Sequence, residues 1–521
     1  MNNTDNSPNY EALIQNKEPI DIKNPAYEQI FKDLQGGLIK SYGRNYSLYI
    51  FVQFDKNKVN EVKQWIRDEI AHSVTSTWEQ LENTEAFKKM KQQRLIPLET
   101  LCKNFFLSCQ GYQTLELDPA SPKNGEAKIN DVLFKVGMEQ DWKESYHLKS
   151  PQEDYYWYNP PERWDLGSGQ SSIDALVLLG HSSLEELKNS AITIIGQCEK
   201  IGKVVACEAG YVLRDLNNIP IGSFGFADGI SQPLFLKSDY DTYCKSQDIT
   251  QWDPKASLEL VLEKDPFGEP YSYGSYCVFQ KLETNSKCFE EKVDQLAKKL
   301  ECDRERASAL VIGRFKDGTP LDLSDQPNQN DGSSTPNNFN YANDRDGIKC
   351  PLQAHIRKVN PRKDSAAREK SRRTKSRIFR AAITYFDDLK SPKASDMSQI
   401  CVNKLDYLKE VSTKSLTANI ESISGLLFVC FQRNIVNQFS KIQTEWADDR
   451  KFPRVGDPKY LDPIIGHPFT SKPEQPAPDP QEWPTKKGNE ENFSSSPFYG
   501  CVKNRGGEFF FAPSISCLKR I

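Results

Sequence analysis

Residues 46–54 read Tyr-Ser-Leu-Tyr-Ile-Phe-Val-Gln-Phe, a run of aromatic and β-branched residues that predicts a buried β-strand. Apolar residues then recur at helical spacing over 59–72, which predicts a helix directly after this strand. The alternation continues, with predicted strands at 172–180 and 203–213 and a helix at 183–195 that Ser183 caps. This rhythm predicts an α+β fold, an antiparallel sheet with helices on one face.

The second half of the chain repeats this alternation of predicted strands and helices less clearly. A helical stretch is predicted at 289–310, a buried strand at 425–431 and near-helical spacing at 434–446, and the turn residues at 504–507 predict a C-terminal hairpin. We therefore expect a flexible tail over 1–32, a first domain over 33–235 and a second domain over 236–521. Long polar loops interrupt the second domain at 316–347 and 467–497.

Composition restricts the class of protein. The chain has 521 residues, 37% of them hydrophobic, and no apolar run approaches the roughly 20 residues of a membrane span. The first residues lack the pattern of an export signal, so we expect a cytoplasmic protein without a membrane partner. Thirteen cysteines are scattered without a Cys-x-x-Cys pair. They predict neither a zinc site nor a disulfide framework.

Positive charge is concentrated in one region of a chain whose net charge is -4. Residues 355–380 include eleven Lys or Arg and two acids. Such a run can be a solvated basic loop or an arm that binds nucleic acid. Aromatic residues that would stack on bases do not interrupt the run, so we expect no nucleic-acid partner.

Three segments carry residue types that a peroxide-cleaving haem site needs. The stretch 354–362 contains His355, one of five histidines, the stretch 225–233 contains Asp228, and the stretch 377–385 contains Arg380. A neutral imidazole can fill one axial position of haem iron. A carboxylate can move the proton of the peroxide, and a guanidinium can stabilise the departing negative oxygen.

Each of these residues also has a purely structural interpretation. His355 can be a hydrogen-bonded structural residue, Asp228-Gly229 is a common turn pair, and Arg380 can belong to a buried ion pair. Arg357 and Arg362 can bind haem propionates or face water. Leu426 and Phe428 share one face of their predicted strand, where they can wall a haem pocket or fill the core.

Together the segments resemble the dye-decolourising peroxidases, in particular the larger members of that family. The resemblance rests on Gly-x-x-Asp-Gly at 225–229 with its Ile-Ser-Gln-Pro tail, and on the segment 350–362 around His355. Further matches are Arg-Ala-x-x-x-Tyr at 380–385, the segments 425–432 and 438–446, and the C-terminal segment 505–514. The matches run in this order through nearly the whole chain.

The resemblance implies two ferredoxin-like domains and one haem b per chain, held mainly by the second domain. It implies that His355 is the proximal iron ligand, Asp228 the distal acid–base residue, Arg380 its distal partner and Arg362 a propionate contact. The family often has Gly and Pro between the distal Arg and the Tyr and Gly after it, where this chain has Ala382, Thr384 and Phe386.

The activity implied by the resemblance is that of a haem peroxidase. Hydrogen peroxide would be reduced, and dyes, phenols or other bulky aromatic reductants would be oxidised in one-electron steps through an oxyferryl state. Two alternatives stay open, a haem-binding or iron-handling protein without peroxidase turnover and a haem-free interaction protein on the same scaffold. The sequence leaves open the oligomeric state, the partner of the His355 ring N–H and the Tyr or Trp that would carry electrons.

Overall fold

The computed structural model describes the chain in twelve stretches: residues 8–94, 100–118, 129–145, 161–167, 172–328, 335–364, 375–387, 396–414, 423–453, 460–467, 480–485 and 493–521. Most of the predicted basic loop before Arg377 and most of the polar loop 467–497 lie outside these stretches.

The strands follow in chain order. They are β1 (Tyr46–Phe54), β2 (Cys102–Ser108), β3 (Ala175–His181), β4 (Gly202–Tyr211), β5 (Glu263–Lys264), β6 (Tyr273–Thr284), β7 (Phe379–Arg380), β8 (Ile383–Tyr385), β9 (Gly425–Gln432), β10 (Gln481–Pro484), β11 (Phe493–Ser496) and β12 (Val502–Ala512).

The α-helices include α1 (Tyr10–Gln15), α2 (Glu28–Asp33), α3 (Val59–Trp65), α4 (Thr77–Gln92), α5 (Cys109–Thr114), α6 (Val132–Val136), α7 (Met138–Ser145), α8 (Leu184–Ile201), α9 (Lys237–Ser246), α10 (Ser286–Leu300), α11 (Arg304–Ile312), α12 (His355–Val359), α13 (Met397–Ser412) and α14 (Ile515–Arg520). Wider π-type turns continue α3 over Ile66–Ile70 and follow β9 over Val436–Ser440 and Ile442–Ala447.

The main sheet closes on itself. Its strand order is β5-β6-β12-β2-β3-β1-β4-β8-β9-β7, and β6 additionally pairs with β9. Eight strands thereby form a ring, with β5 and β7 attached beside β6 and β9. The ring has two narrow seams: β12 meets β2 over two residue pairs, and Gly210 of β4 pairs with Tyr385 of β8.

Each side of the seams repeats one topology. In the half β4-β1-β3-β2, the fourth strand in chain order lies beside the first, followed by the third and the second. The half β12-β6-β9-β8 has the same order, counting β6 as its first strand and β12 as its fourth. Helices connect the first strand to the second and the third to the fourth, which is the ferredoxin-like arrangement. The predicted α+β fold of two ferredoxin-like units is confirmed.

Because successive side chains of a strand point to opposite faces of the sheet, the buried apolar residues form two clusters, one on each face. In β1, Leu48, Ile50 and Val52 pack against the helices outside the ring, whereas Tyr49 and Phe51 point to a second cluster. The ring of Phe51 lies 4.9 Å from that of Phe279 in β6, although β1 and β6 are not neighbours in the sheet. The strand side chains of the second cluster therefore face the interior of the ring, and residues of α1, α2 and α4 pack against them.

The N-terminal region differs from the prediction of a flexible tail. Residues 1–7 lie outside the described stretches, but α1 and α2 follow them, and the side chains of Ile14 and Phe31 are 3% and 0% exposed. Burial of these apolar side chains stabilises the segment against the core. The boundary predicted near residue 235 stays a prediction.

The predicted C-terminal hairpin is wrong. β12 is one continuous strand beside β6, with a shift in register between Asn504 and Gly507. Gly506 has a φ of +116°, and a Cβ there would meet the backbone oxygen of Leu166 at 2.0 Å. The glycine pair therefore forms a bulge within a strand, where turn chemistry alone predicts a chain reversal.

The structure contains two disulfides, although the cysteine spacing predicted no disulfide framework. Cys207 of β4 bonds to Cys401 of α13, and Cys288 of α10 bonds to Cys501, just before β12. The partners are 194 and 213 residues apart, so their pairing leaves no spacing pattern in the sequence. Disulfides are typical of oxidising compartments, and the cytoplasmic location stays a prediction. Within the described stretches, no helix is long and apolar enough to cross a membrane.

Candidate active site

A cavity of about 660 Å³ lies where the second half of the ring meets α12 and two long connections. This size falls within the range of small-molecule and cofactor sites. The three segments singled out in the sequence converge here, since His355, Asp228 and Arg380 all line the cavity.

His355 is the first residue of α12, which places its ring at the start of a short helix. Its Nδ1 lies 3.0 Å from Oδ2 of Asp462, a residue 107 positions away that has a fully buried side chain. With Asp462 ionised, Nδ1 carries the proton and donates this hydrogen bond. Nε2 is then the ring nitrogen left to bind a metal ion.

Asp462 is held as a carboxylate. Burial alone would raise the pKa of Asp462, but the adjacent His355 ring and the N–H groups of Ile464 and Ile465 outweigh this effect and lower the pKa below its ordinary value. These N–H groups lie 2.8 and 3.0 Å from Oδ1. The carboxylate is therefore fixed in position and charge beside the imidazole.

A second imidazole–carboxylate pair lies on the same cavity. Nδ1 of His467 is 3.1 Å from Oδ1 of Asp448, and the backbone N–H of His467 donates to the same oxygen at 2.7 Å. The His467 ring also contacts Trp142 edge-on, with centroids 5.0 Å apart. The geometry thus gives two candidate metal ligands, His355 and His467. Of these, only His355 falls in a segment that carries the family resemblance.

Asp228 lies on the connection between β4 and α9. Its backbone N–H donates to the carbonyl of Pro220 at 2.9 Å, and its Oδ1 accepts the N–H of Gly229 at 2.6 Å. Gly225 and Gly229 have φ values of +78° and +74°, which glycine adopts without strain. The glycines bend this connection so that the carboxylate faces the cavity.

Arg380 approaches Asp228 from β7. Its Nη1 lies 3.8 Å from Oδ1 of Asp228, and the two side chains are 34% and 37% exposed. This distance is longer than a hydrogen bond. The pair therefore places an acid–base group and a fixed positive charge side by side.

A cationic wall formed by Arg314 and Arg362 borders another part of the cavity. Both guanidinium groups donate to Oδ1 of Asn337, at 2.8 and 2.6 Å, and Arg362 also stacks 4.2 Å from the Trp252 ring. Among the described residues, neither guanidinium forms an ion pair with a carboxylate. Burial, together with the charge of the neighbouring arginine, lowers the pKa of Arg362 to about 9. Two buried cations without a protein carboxylate form a site for an anion.

The structure corrects the prediction that Arg357 contacts haem. Arg357 is fully buried and does not line the cavity. Its guanidinium donates to the carboxylates of Asp344 and Asp364, with shortest distances of 2.9 and 2.5 Å. A buried arginine is stabilised by such partners, and here they hold it inside the protein, away from the cavity.

Leu426 and Phe428 take alternate positions on β9, and both line the cavity. In the ladder with β6 they lie opposite Leu282 and Gln280, which line it too. This part of the wall is mainly apolar and comes from the second half of the ring.

Two residues of the site were missed by sequence reasoning. Asp462 precedes a proline in a loop, and Arg314 follows a glycine after α11, so both resemble ordinary loop residues in the sequence. The one available signal was charge in an apolar context, as in Ile312-Gly313-Arg314-Phe315. Their roles depend on partners that only the fold brings close.

The residues of the cavity fit a haem group. His355 offers a ring nitrogen supported by a carboxylate, as metal-bound imidazoles usually are. Arg314 and Arg362 offer charge to the two carboxylates of the porphyrin, and the wall of Leu426 and Phe428 is apolar like its ring. The donor set thus matches all three chemical parts of the cofactor.

Known proteins share both sequence and fold with this chain, although no family model matches it. A multifunctional dye peroxidase, DyP2 of Amycolatopsis sp., is 36% identical over 379 residues, which are 69% of this chain and 73% of that protein. Peroxidase 2 of Mycetinis scorodonius is 31% identical over 57% of this chain and 55% of its own length. The crystal structure of a DyP-type peroxidase of Anabaena sp. is 36% identical, with a TM-score of 0.80 and coverage of 98% of this chain and 99% of that one.

Fold and relatives together define the class of protein as a peroxidase, an oxidoreductase that acts on peroxide. The chain belongs to the DyP-type, or dye-decolourising, peroxidase family. Membership of this family implies a haem peroxidase.

Proposed function

We propose that the protein reduces hydrogen peroxide at a single haem b and oxidises dyes, phenols or other bulky aromatic reductants in one-electron steps. The observation that carries this proposal is the convergence of two pairs on one cavity, His355 with Asp462 and Asp228 with Arg380. The cationic wall beside them supports it, because haem brings two carboxylates.

In this proposal His355 binds the iron through Nε2, and Arg314 and Arg362 bind the carboxylates of the porphyrin. When bound, haem would supply a redox-active iron for peroxide activation and single-electron chemistry. Asp462 keeps the proton on Nδ1 of His355 and makes the imidazole a stronger electron donor.

Asp228 is the proton carrier. As a carboxylate it accepts a proton from one oxygen of hydrogen peroxide and then donates it to the other oxygen, which leaves as water. The Gly229 N–H occupies Oδ1 from one side and so orients the carboxylate. Its partial exposure allows exchange of protons with solvent between turnovers.

Arg380 stabilises the negative charge that develops on the leaving oxygen. Its planar guanidinium presents several N–H donors to that oxygen. Leu426 and Phe428 add apolar surface to the cavity wall, which lowers the local polarity and so strengthens the attraction between the guanidinium and the developing charge.

The test is direct. The purified protein is expected to show a Soret band, one haem per chain, and peroxide-dependent oxidation of both a phenol and a bulky anthraquinone dye. His355→Ala is the matched control and is expected to lose haem. Haem without turnover would identify the alternative, a haem-binding or iron-handling protein, and absence of a Soret band after haem addition would refute both.

A further inference from the structure

We propose that Gln232 is a positioning residue that holds the backbone of Arg380 in register with Asp228. The inference rests on the proposed function, because it concerns the geometry of the two residues that activate peroxide there. Gln232 itself has no part in the proton transfer or the charge stabilisation described above.

The contact is a two-bond clasp between a side-chain amide and one backbone residue. Nε2 of Gln232 donates to the carbonyl oxygen of Arg380 at 2.8 Å, and the N–H of Arg380 donates to Oε1 of Gln232 at 3.2 Å. The two residues are 148 positions apart. The clasp therefore joins two segments that only the fold brings together.

Arg380 needs such a partner because β7 is a two-residue strand at the end of the sheet. Arg380 pairs with Cys430 of β9 on one side, and the next residue, Ala381, donates to the carbonyl of Val429 at 2.8 Å. On its other side β7 has no neighbouring strand among the described residues. The amide of Gln232 supplies the donor and the acceptor that such a strand would offer.

The clasp acts on the same short segment that carries Asp228. Four residues along the chain from Asp228, Gln232 stands between Ser231 and Pro233. Oγ of Ser231 accepts a hydrogen bond from Nη2 of Arg362 at 2.7 Å, and Pro233 restricts the backbone that follows. The segment is thus fixed to the cationic wall by one residue and to β7 by the next.

Side-chain packing alone does not fix the distance between the two catalytic groups. The side chains of Asp228 and Arg380 are each about one-third exposed, and 3.8 Å separates Oδ1 from Nη1. Their separation depends on where their backbones are anchored. A small displacement of reacting groups can cost about 100-fold in rate, so an anchor between these two backbones matters for catalysis.

Substitutions of Gln232 separate positioning from packing. Gln232→Leu removes both hydrogen bonds while keeping a similar size. Gln232→Glu keeps an acceptor for the Arg380 N–H but, when ionised, turns a second acceptor toward the Arg380 carbonyl. A protonated carboxyl group regains the donor, so only this variant is expected to recover its clasp at low pH.

The experiment measures the second-order rate of the haem-loaded protein with hydrogen peroxide by stopped flow. The pH is varied in steps from about 3.5, just below the ordinary pKa of a Glu carboxyl group (about 4.3), to about 8, well above it. Gln232→Leu is expected to be slower by about 10–100-fold with an unchanged Soret band. The ratio of the Gln232→Glu rate to the parent rate is expected to rise as pH falls.

Gln35 provides a matched control because it makes the same clasp elsewhere. Its Nε2 donates to the carbonyl of Phe105 at 2.8 Å, and its Oε1 accepts the N–H of Phe105 at 2.9 Å. Neither residue lines the cavity. Gln35→Leu and Gln35→Glu are expected to lower the melting temperature while leaving the peroxide rate and its pH profile unchanged.

Three results would overturn the proposal. These are a parent-like rate in Gln232→Leu, a rate ratio for Gln232→Glu that does not change with pH, and an equal loss of rate in the Gln35 variants. If Gln232→Leu fails to fold, the pH profile of Gln232→Glu decides alone. Failure of the parent protein to bind haem or to react with peroxide is a separate result, and it would refute the proposed function itself.

Discussion

The ring of His355, which lines the cavity, forms a hydrogen bond of 3.0 Å with the fully buried carboxylate of Asp462. The same short loop carries His467, whose own carboxylate partner is Asp448. Two similar pairs in one cavity permit a direct comparison of the imidazole that we assign to iron with one that we do not.

We expect Asp462→Asn to lower haem affinity or peroxide reactivity by about 10–100-fold, because an amide cannot support the imidazole as an ionised carboxylate does. Haem titration and stopped-flow kinetics measure the two effects. Asp448→Asn is the control and is expected to leave both unchanged. The opposite pattern would indicate that His467 is the ligand.

Asp228→Asn is expected to slow the reaction with peroxide by about 10²–10⁴-fold while haem content stays the same. The amide keeps the size of the side chain and an acceptor for the Gly229 N–H but cannot carry the proton. Stopped-flow rates at equal haem loading provide the measurement. Undiminished turnover in this variant would contradict the role of Asp228.

Arg314→Gln is expected to weaken haem binding by about 10-fold or more, since charge-assisted hydrogen bonds contribute about 1.5–3 kcal/mol. The control changes the ligand instead of the protein: haem dimethyl ester has no carboxylates. The parent and the variant should bind the ester with similar affinity. A loss of the same size with the ester would show that Arg314 acts through folding and not through charge.

Glu508 predicts a pH dependence of stability. Burial raises the pKa of Glu508 to about 7, against the hydrogen bonds that it accepts from the N–H groups of Met138 and Phe509. A carboxyl group with a raised pKa in the folded state stabilises the protein below pH 4.5, and that contribution is lost as pH rises to about 7. Glu508→Gln should remove this loss.

Melting temperatures at pH 4.5 and pH 7.5 test the prediction. The variant should match the parent at the lower pH and exceed it at the higher one, by about 3 kcal/mol in free energy of unfolding. A constant difference between variant and parent at both values would show that Glu508 does not titrate in this window.

The disulfides predict a thiol count. After denaturation without reductant, alkylation should modify nine cysteines, and with reductant all thirteen. Peptide mass spectrometry should assign the protected ones to Cys207, Cys401, Cys288 and Cys501. Thirteen reactive thiols in protein taken directly from cells would indicate that the pairs are reduced there.

Local patterns predicted some strands closely, although β2 and β6 were not predicted. β1 coincides with the predicted 46–54, and β9 extends the predicted 425–431 by one residue, because aromatic and β-branched runs of this length fit few other structures. The bulge at Gly506 was missed, since a glycine pair after asparagine has the chemistry of a tight turn. Only the long partner strand β6 decides between the two.

The residues of the candidate site also fall into two groups, those that the sequence predicted and those that it did not. His355, Asp228 and Arg380 stand in short segments with recognisable chemistry, and the structure brings all three to one cavity. Asp462, Arg314 and Gln232 depend on partners distant in the chain. Residue types in the sequence identify the candidate reactive groups, whereas their distant partners become visible only in the fold.

The strand ring also affects how the chain meets other chains. An open sheet presents unpaired backbone groups along its outermost strands, and these can recruit another polypeptide and start aggregation. Among the described residues, each of the eight principal strands has a neighbour on both sides, although β4 and β8 share one residue pair and β12 and β2 share two. The two-residue strands β5 and β7 end the main sheet in this part of the chain. At β7 the amide of Gln232 already occupies the backbone N–H and carbonyl of Arg380, so these two groups are not available to pair with a strand of another chain.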